Sequence, residues 1–208
     1  SQAMAEPIAC TTNAVNRARI QLGDHVVIVG VGFMGLILLQ QAKLCGALHV
    51  TAIDVRDEML ALAQKLGADA CIDPRDGDVK ERLMAFTHGN SADVVFEAGG
   101  RQETLDLAAE LCRMEGKLVI FGYHPGARVI KDLGYWNWMA FDIINAHFRN
   151  IQTILNGART GMNLLNAGLL QLGALITHEF ELTRIEQAFQ AARDKPQGFV
   201  KSVLIMNE

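Results

Sequence analysis

Apolar residues along this chain follow two alternating rhythms. Short runs rich in valine and isoleucine alternate with stretches that repeat apolar residues every three or four positions. The runs Val26 to Val29, Val50 to Ile53, Ala70 to Ile72, Asp93 to Phe96 and Lys117 to Phe121 read as buried strands. Between them the spacing predicts helices Phe33 to Cys45, Asp57 to Leu66, Val79 to Thr87 and Gln102 to Met114. In the first of these Gln40, Gln41 and Lys43 are placed on the outer side. Gly46 and Gly67 supply the stops. A helix from Met4 to Arg19, burying Ile8, Ala14, Val15 and Ala18, precedes the first strand, with Pro7 in its tolerant first turn. Strands alternating with helices predict a parallel sheet covered on both faces, an α/β fold.

Beyond Pro125 the rhythm changes. Arg128 to Lys131 reads as a short strand, Tyr135 to Ala140 is aromatic-rich, and Ile143 to Phe148 has the pattern of a sixth strand. A long helical stretch, Asn150 to Leu172, is loosened by Gly157, Gly161 and Gly168. Strand Ile176 to Leu182, helix Arg184 to Arg193, a turn at Pro196 to Gly198 and strand Val200 to Met206 complete the chain.

One junction carries chemistry. The first strand runs into Gly30-Val31-Gly32-Phe33-Met34-Gly35. In a dinucleotide-binding turn the first glycine makes the bend, the second admits the pyrophosphate, and the third lets helix and strand pack closely. The phosphates then lie against free amides at the positive end of a helix. Asp54 ends the second strand about 20 residues on, where a carboxylate accepts from the adenosine ribose. The pattern predicts a Rossmann-type doubly wound sheet binding a nicotinamide dinucleotide. Asp54 favours NAD over NADP by repelling a 2′-phosphate, while nearby Arg56 is the residue that could accommodate one.

Composition narrows the partners. The chain has 208 residues, half of them hydrophobic and a fifth charged, with a net charge of −4. No basic run suggests nucleic acid or an anionic membrane surface, and no apolar stretch reaches membrane-spanning length. The four cysteines, Cys10, Cys45, Cys71 and Cys112, have no metal-type spacing and read as reduced thiols in a cytoplasmic protein. Ser1 to Ala3 precede Met4 and read as a cloning scar, or the chain as a piece of something longer.

The motifs together resemble the zinc-containing medium-chain dehydrogenase/reductases, most closely their polyol (sorbitol) dehydrogenase-like members. The matching pieces are Ala5-Glu6-Pro7, Gly23-Asp24, the glycine turn, Asp54, and Lys65-Leu66-Gly67-Ala68-Asp69. Phe96-Glu97-Ala98-Gly99-Gly100, Gly116-Lys117-Leu118-Val119, Phe148-Arg149, Thr177-His178 and Gly198-Phe199-Val200-Lys201 follow. The resemblance implies a linking helix at 1–22, a cofactor domain at 23–172 and a C-terminal segment of the catalytic domain at 173–208. It also implies that a GroES-like catalytic domain with the zinc ligands is missing from this chain.

Further implications of the resemblance are residue roles. Glu6 would lie beside or on the catalytic zinc, and Arg149 near substrate, paired with Glu6. Lys201 would reach the pyrophosphate. The dinucleotide would be held by Gly30, Gly32, Phe33, Met34 and Gly35, by Asp54, Val55 and Arg56, and by the backbone of Ala98, Gly99, Phe121, Gly122 and Tyr123. The plain readings stay beside these: an acid in a first helical turn, a surface arginine, an edge-strand lysine. His147 and His178 read as ordinary strand or loop histidines, Cys10 as packing, and Trp136 and Trp138 as core or interface aromatics. The intact enzyme would pass hydride between a zinc-bound secondary alcohol or polyol and NAD. Zinc belongs to that intact enzyme, and this chain alone is expected to be inactive. The alternatives are a zinc-free quinone reductase of the same superfamily and a stand-alone dinucleotide-binding module. The apolar stretch Arg128 to Phe148 is the expected edge for a homodimer or homotetramer.

Overall fold

The computed structural model describes residues 4–206; Ser1 to Ala3 lie outside the described residues. Helix α1 (Ala5–Ala18) is followed by the series β1 (His25–Val29), α2 (Phe33–Leu44), β2 (His49–Ile53), α3 (Asp57–Lys65) and β3 (Ala70–Ile72). Then come α4 (Val79–Phe86), β4 (Ala92–Glu97), α5 (Gln102–Leu111), β5 (Cys112–Ile120), α6 (Leu133–Met139), β6 (Asp142–Asn145) and α7 (Ile151–Asn166). The strands form one six-stranded sheet in the order β3-β2-β1-β4-β5-β6, parallel throughout. The chain lays strands outward from β1 to β3, then returns to place β4 on the other side of β1. That reversal is the topological switch point of a doubly wound Rossmann sheet, and a crevice opens there at the carboxyl ends of the strands.

The continuous apolar strands are explained by cover on both faces. Val26, Ile28, Val50, Ala52, Val94, Phe96 and Val119 join a core with α1, α2 and α3. Their neighbours Val27, Val29, Ile53, Ile72, Val95 and Leu118 point the other way, into a core closed by Val79 and Leu83 of α4, Leu105 of α5 and Trp136 of α6. Phe96 is among the largest fully buried side chains, a burial that contributes about 1.5–3 kcal/mol. The period of two along a strand thus separates two cores.

A smaller unit closes the chain. Strand β7 (Ile176–Glu181), α8 (Ile185–Asp194) and β8 (Lys201–Ile205) form a two-stranded parallel sheet with its crossover helix. Leu172, Leu175, Ile176 and Val200 tie it to the core on the α1 and α2 side.

Several expectations need correction. Arg128 to Lys131 is irregular loop, not strand, because Arg128 and Val129 bond to His124, Gly100 and Gln102 instead of a strand partner. Helix α5 stops at Leu111, since Cys112 is already extended and begins β5, with a register shift before Lys117. Strand β6 ends at Asn145 and α7 at Asn166, each shorter than its pattern. Gln40 and Gln41 are buried rather than outside. The Gln41 amide donates to the Thr12 hydroxyl at 2.8 Å, and Gln40 Oε1 accepts from the Gln171 amide at 2.6 Å. Gly157 and Gly161 do not loosen α7; they are buried and seat it on α1, where a Cβ at Gly161 would collide with Ile8. Of the two tryptophans read as core or interface aromatics, Trp136 is the core one, and Trp138 is 76 % exposed.

Candidate functional site

The glycine turn adopts the geometry its spacing asks for. Gly30 has φ of +96°, and a Cβ there would lie 2.9 Å from the Gly99 amide nitrogen. The turn after β1 therefore rests directly on the turn after β4, main chain against main chain, at the switch point. A Cβ on Gly35 would strike the Gly30 carbonyl oxygen, whereas Gly32 faces open space with only Arg56 Nη2 nearby, at 3.6 Å. Helix α2 begins after Gly32 with no side chain capping it and no acid in its first turn. Its leading amides are free donors at the positive end of the helix dipole.

Two charged groups flank those amides. Asp54, just past β2, accepts on Oδ1 from the Arg56 backbone amide at 3.1 Å and from Arg56 Nε at 3.3 Å. Lys201, first residue of β8, places its ammonium 5.1 Å from the centre of the Phe33 ring, within cation–π range. Val55 is half exposed beside Asp54. The C-terminal unit thus brings a cation onto the first turn of α2.

A cleft of about 500 Å³ opens alongside. Of the residues expected at the site, Glu6, Met34, Ala98, Phe121, Gly122, Tyr123 and Arg149 line it, and His147 joins them. Glu6 and Arg149 share the cleft but are not paired, correcting the expected ion pair. Glu6 Oε1 instead accepts from the Cys10 thiol at 3.0 Å, and Arg149 donates to the Phe148 carbonyl at 2.9 Å. Burial, then the hydrogen bond and charge of Glu6, push the Cys10 thiol up to about 12, so it stays protonated. His147 Nε2 lies 3.3 Å from the Gly122 carbonyl, while on the smaller sheet His178 stacks on Phe180 and meets the Phe199 ring at a tilt.

These donors do not make a zinc centre. Among the described residues no three His, Cys, Asp or Glu side chains converge, a catalytic zinc needs about three protein ligands, and Cys10 keeps its proton in a hydrogen bond to Glu6. A second cleft, of about 480 Å³, lies between α1 and β6. Its Arg17 and Lys117 donate to the His147 and Arg19 carbonyls, which makes it a seam between elements.

Sequence reading passed over Glu97, His124 and Arg128. Glu97 is fully buried at the end of β4 and accepts the Gly99 and Gly100 amides at 2.9 and 2.7 Å. The available signal was an acid closing the apolar run Val94-Val95-Phe96, at the edge where a doubly wound sheet binds its ligand.

Comparison with known proteins identifies relatives of the whole fold. An uncharacterized zinc-type alcohol dehydrogenase-like protein of Escherichia coli is 29% identical over 99% of this chain and 57% of its own length. An erythritol/L-threitol dehydrogenase of Mycolicibacterium smegmatis is 30% identical, over 89% of this chain and 50% of its own. The crystal structure of a putative zinc-binding dehydrogenase from Sinorhizobium meliloti bound to NADP superposes with a TM-score of 0.86 at 28% identity. It is matched over 98% of this chain and 58% of that one. The chain spans about half the length of the relatives it matches. The family model described as zinc-binding dehydrogenase matches residues 34–161, and this chain belongs to that family.

Proposed function

We propose that this chain is the NAD(H)-binding portion of a zinc-dependent alcohol or polyol dehydrogenase. Residues 1–22 link to a catalytic domain, 23–172 form the cofactor domain, and 173–208 form a segment of the catalytic domain. The observation that carries the reading is the uncapped, acid-free start of α2 at the Gly30–Gly35 turn, with Lys201 over Phe33 in its first turn and Asp54 just past β2. The residues fit a dinucleotide. The amides of Phe33, Met34 and Gly35 and the Lys201 ammonium hold the pyrophosphate. Asp54 accepts from the adenosine ribose on the oxygen that Arg56 leaves free. The Ala98–Gly99 and Phe121–Tyr123 backbones shape the cleft for the nicotinamide ring.

Such a cofactor, when bound, supplies a two-electron acceptor next to the cleft. The chain's own contribution is to bind it, orient it and exclude water from one face with Met34, Ala98 and Phe121. The described residues do not fit zinc; Glu6 and Arg149 are proposed to border the metal and alcohol in the intact enzyme. Added zinc should therefore give the 208-residue chain no alcohol oxidation. NADH formation from a polyol that depends on zinc would contradict this.

The deciding experiment is calorimetric titration. NADH should bind more tightly than NADPH, and Asp54→Ala should weaken NADH by about tenfold, the loss of a hydrogen-bonded charge, and narrow the preference. NADPH binding as tight as NADH would overturn the NAD assignment. Binding of neither would overturn the function.

A further inference from the structure

Glu97 is the deepest charged side chain near the cleft, and a buried carboxylate needs matched donors. Four converge on it. The Gly99 and Gly100 amides and the Thr104 hydroxyl, the last at 2.6 Å, donate to Oε1. His124 Nε2 lies 2.7 Å from Oε2. Arg128 extends the chain of contacts: its Nε donates to His124 Nδ1 at 3.1 Å and its Nη2 to the Gly100 carbonyl at 2.9 Å. Its remaining nitrogen donates to the Pro125 and Ala127 carbonyls. One carboxylate and one guanidinium therefore join the turn after β4 to the loop after β5. There is no slack at the join, since a Cβ on Gly122 would lie 2.6 Å from both Glu97 Oε2 and the Gly100 nitrogen.

The contacts also place a proton. A guanidinium can only donate, so His124 Nδ1 accepts and the ring N–H sits on Nε2, donating to Glu97. The imidazole between them is neutral. A second proton, on Nδ1, would set N–H against N–H and expel Arg128 while leaving the Glu97 contact in place.

We infer that His124 and Arg128 are positioning residues for the nicotinamide half of the dinucleotide site. Through Glu97 they hold the Phe121–Tyr123 backbone against the Ala98–Gly100 turn, and His124 does so only as the neutral Nε2–H tautomer. The inference rests on the dinucleotide reading above. The charged groups around His124 are Glu97 from β4 and Arg128 from its own loop, with His147 behind the Gly122 carbonyl. Farther along the loop, Lys131 pairs with Asp106 of α5, and Gln102 bonds Val129 on both its amide and carbonyl. That end stays docked when Arg128 is expelled, so acid loosens the cleft end alone.

The test uses the 208-residue chain, with NADH and ADP-ribose titrated in parallel from about pH 8 to 5. ADP-ribose carries the adenosine and pyrophosphate without nicotinamide. Arg128→Ala and His124→Ala should lower NADH affinity about tenfold at the alkaline end, the loss of a charged hydrogen bond, and leave ADP-ribose unchanged. Wild-type NADH affinity should fall towards that of ADP-ribose on acidification. His124→Gln, which retains a donor and an acceptor without titrating, should keep the affinity and flatten the pH profile. Equal losses for the two ligands, or a flat wild-type profile, would overturn the inference. If wild-type chain binds no ADP-ribose, the dinucleotide reading fails instead, and amide exchange judges the contact separately. Protection at residues 121–124 should drop in Arg128→Ala and in acid-treated wild type but not in His124→Gln; unchanged protection in Arg128→Ala would refute it.

Discussion

At Asp54 one of the two carboxylate oxygens is already taken. Arg56 folds back onto Oδ1 and lies over Gly32, so the cation that could accept a 2′-phosphate is held by the acid that would repel it. Removing Arg56 should leave Asp54 unopposed, and Arg56→Ala is expected to widen the preference for NADH over NADPH by several-fold in the same titrations. An unchanged ratio would show that Arg56 has no share in the choice. Cys112 presents a different residue-scale consequence. Burial holds its thiol up at about 12, against 9.0 for the ordinary group. Between those values the folded chain binds more protons than the unfolded one, so stability is lost as pH rises through that window. Urea midpoints taken from about pH 9 upward should fall, and Cys112→Ala should fall less steeply; parallel slopes would discount the thiol.

At the scale of elements, the contact between α1 and α7 depends on the absence of side chains. Gly161 sits where a Cβ would meet Ile8, so Gly161→Leu should separate the two helices and cost about 1–3 kcal/mol, read from the shift in urea midpoint. No shift would mean that the helices part without resistance. The sequence pattern displays the glycine turn, Asp54 and all five strands of the first series, because strands buried on both faces show as unbroken apolar runs. It could not display Gln40 as a buried residue, since its partner, the Gln171 amide, arrives from a segment remote in sequence. A polar side chain looks the same whether it meets water or a distant amide. Arg128 to Lys131 misled for a related reason: Val129 and Ile130 carry strand propensity, but the bonds of Arg128 to His124 and Gly100 fix the loop. Glu97 was visible as a residue and silent as a role, because its four donors come from three separate stretches.

At the scale of the whole molecule, β6 is an edge of the sheet. Ile143 is 50 % exposed there, with Val129, Ile130, Leu133 and Trp138 exposed close by in sequence. An open strand edge beside apolar side chains favours pairing about a two-fold axis, and we propose at least a dimer joined at this edge. Ile144 packs against the core and is unsuitable as a probe. Ile143→Lys should convert the species seen by light scattering at tens of micromolar to monomer; a monomeric wild type, or an unmoved dimer, would count against the edge. The placement of Lys201 over Phe33 reaches further. A polypeptide is synthesised from its amino end, so the amides of α2 exist long before β8 supplies the ammonium beside them. A nascent chain that has already folded its six strands would hold the glycine turn without the Lys201 ammonium beside it. On the proposed reading, tight retention of a dinucleotide would wait until the smaller sheet has formed, and a bound cofactor would then staple the first turn of the sheet to strand β8.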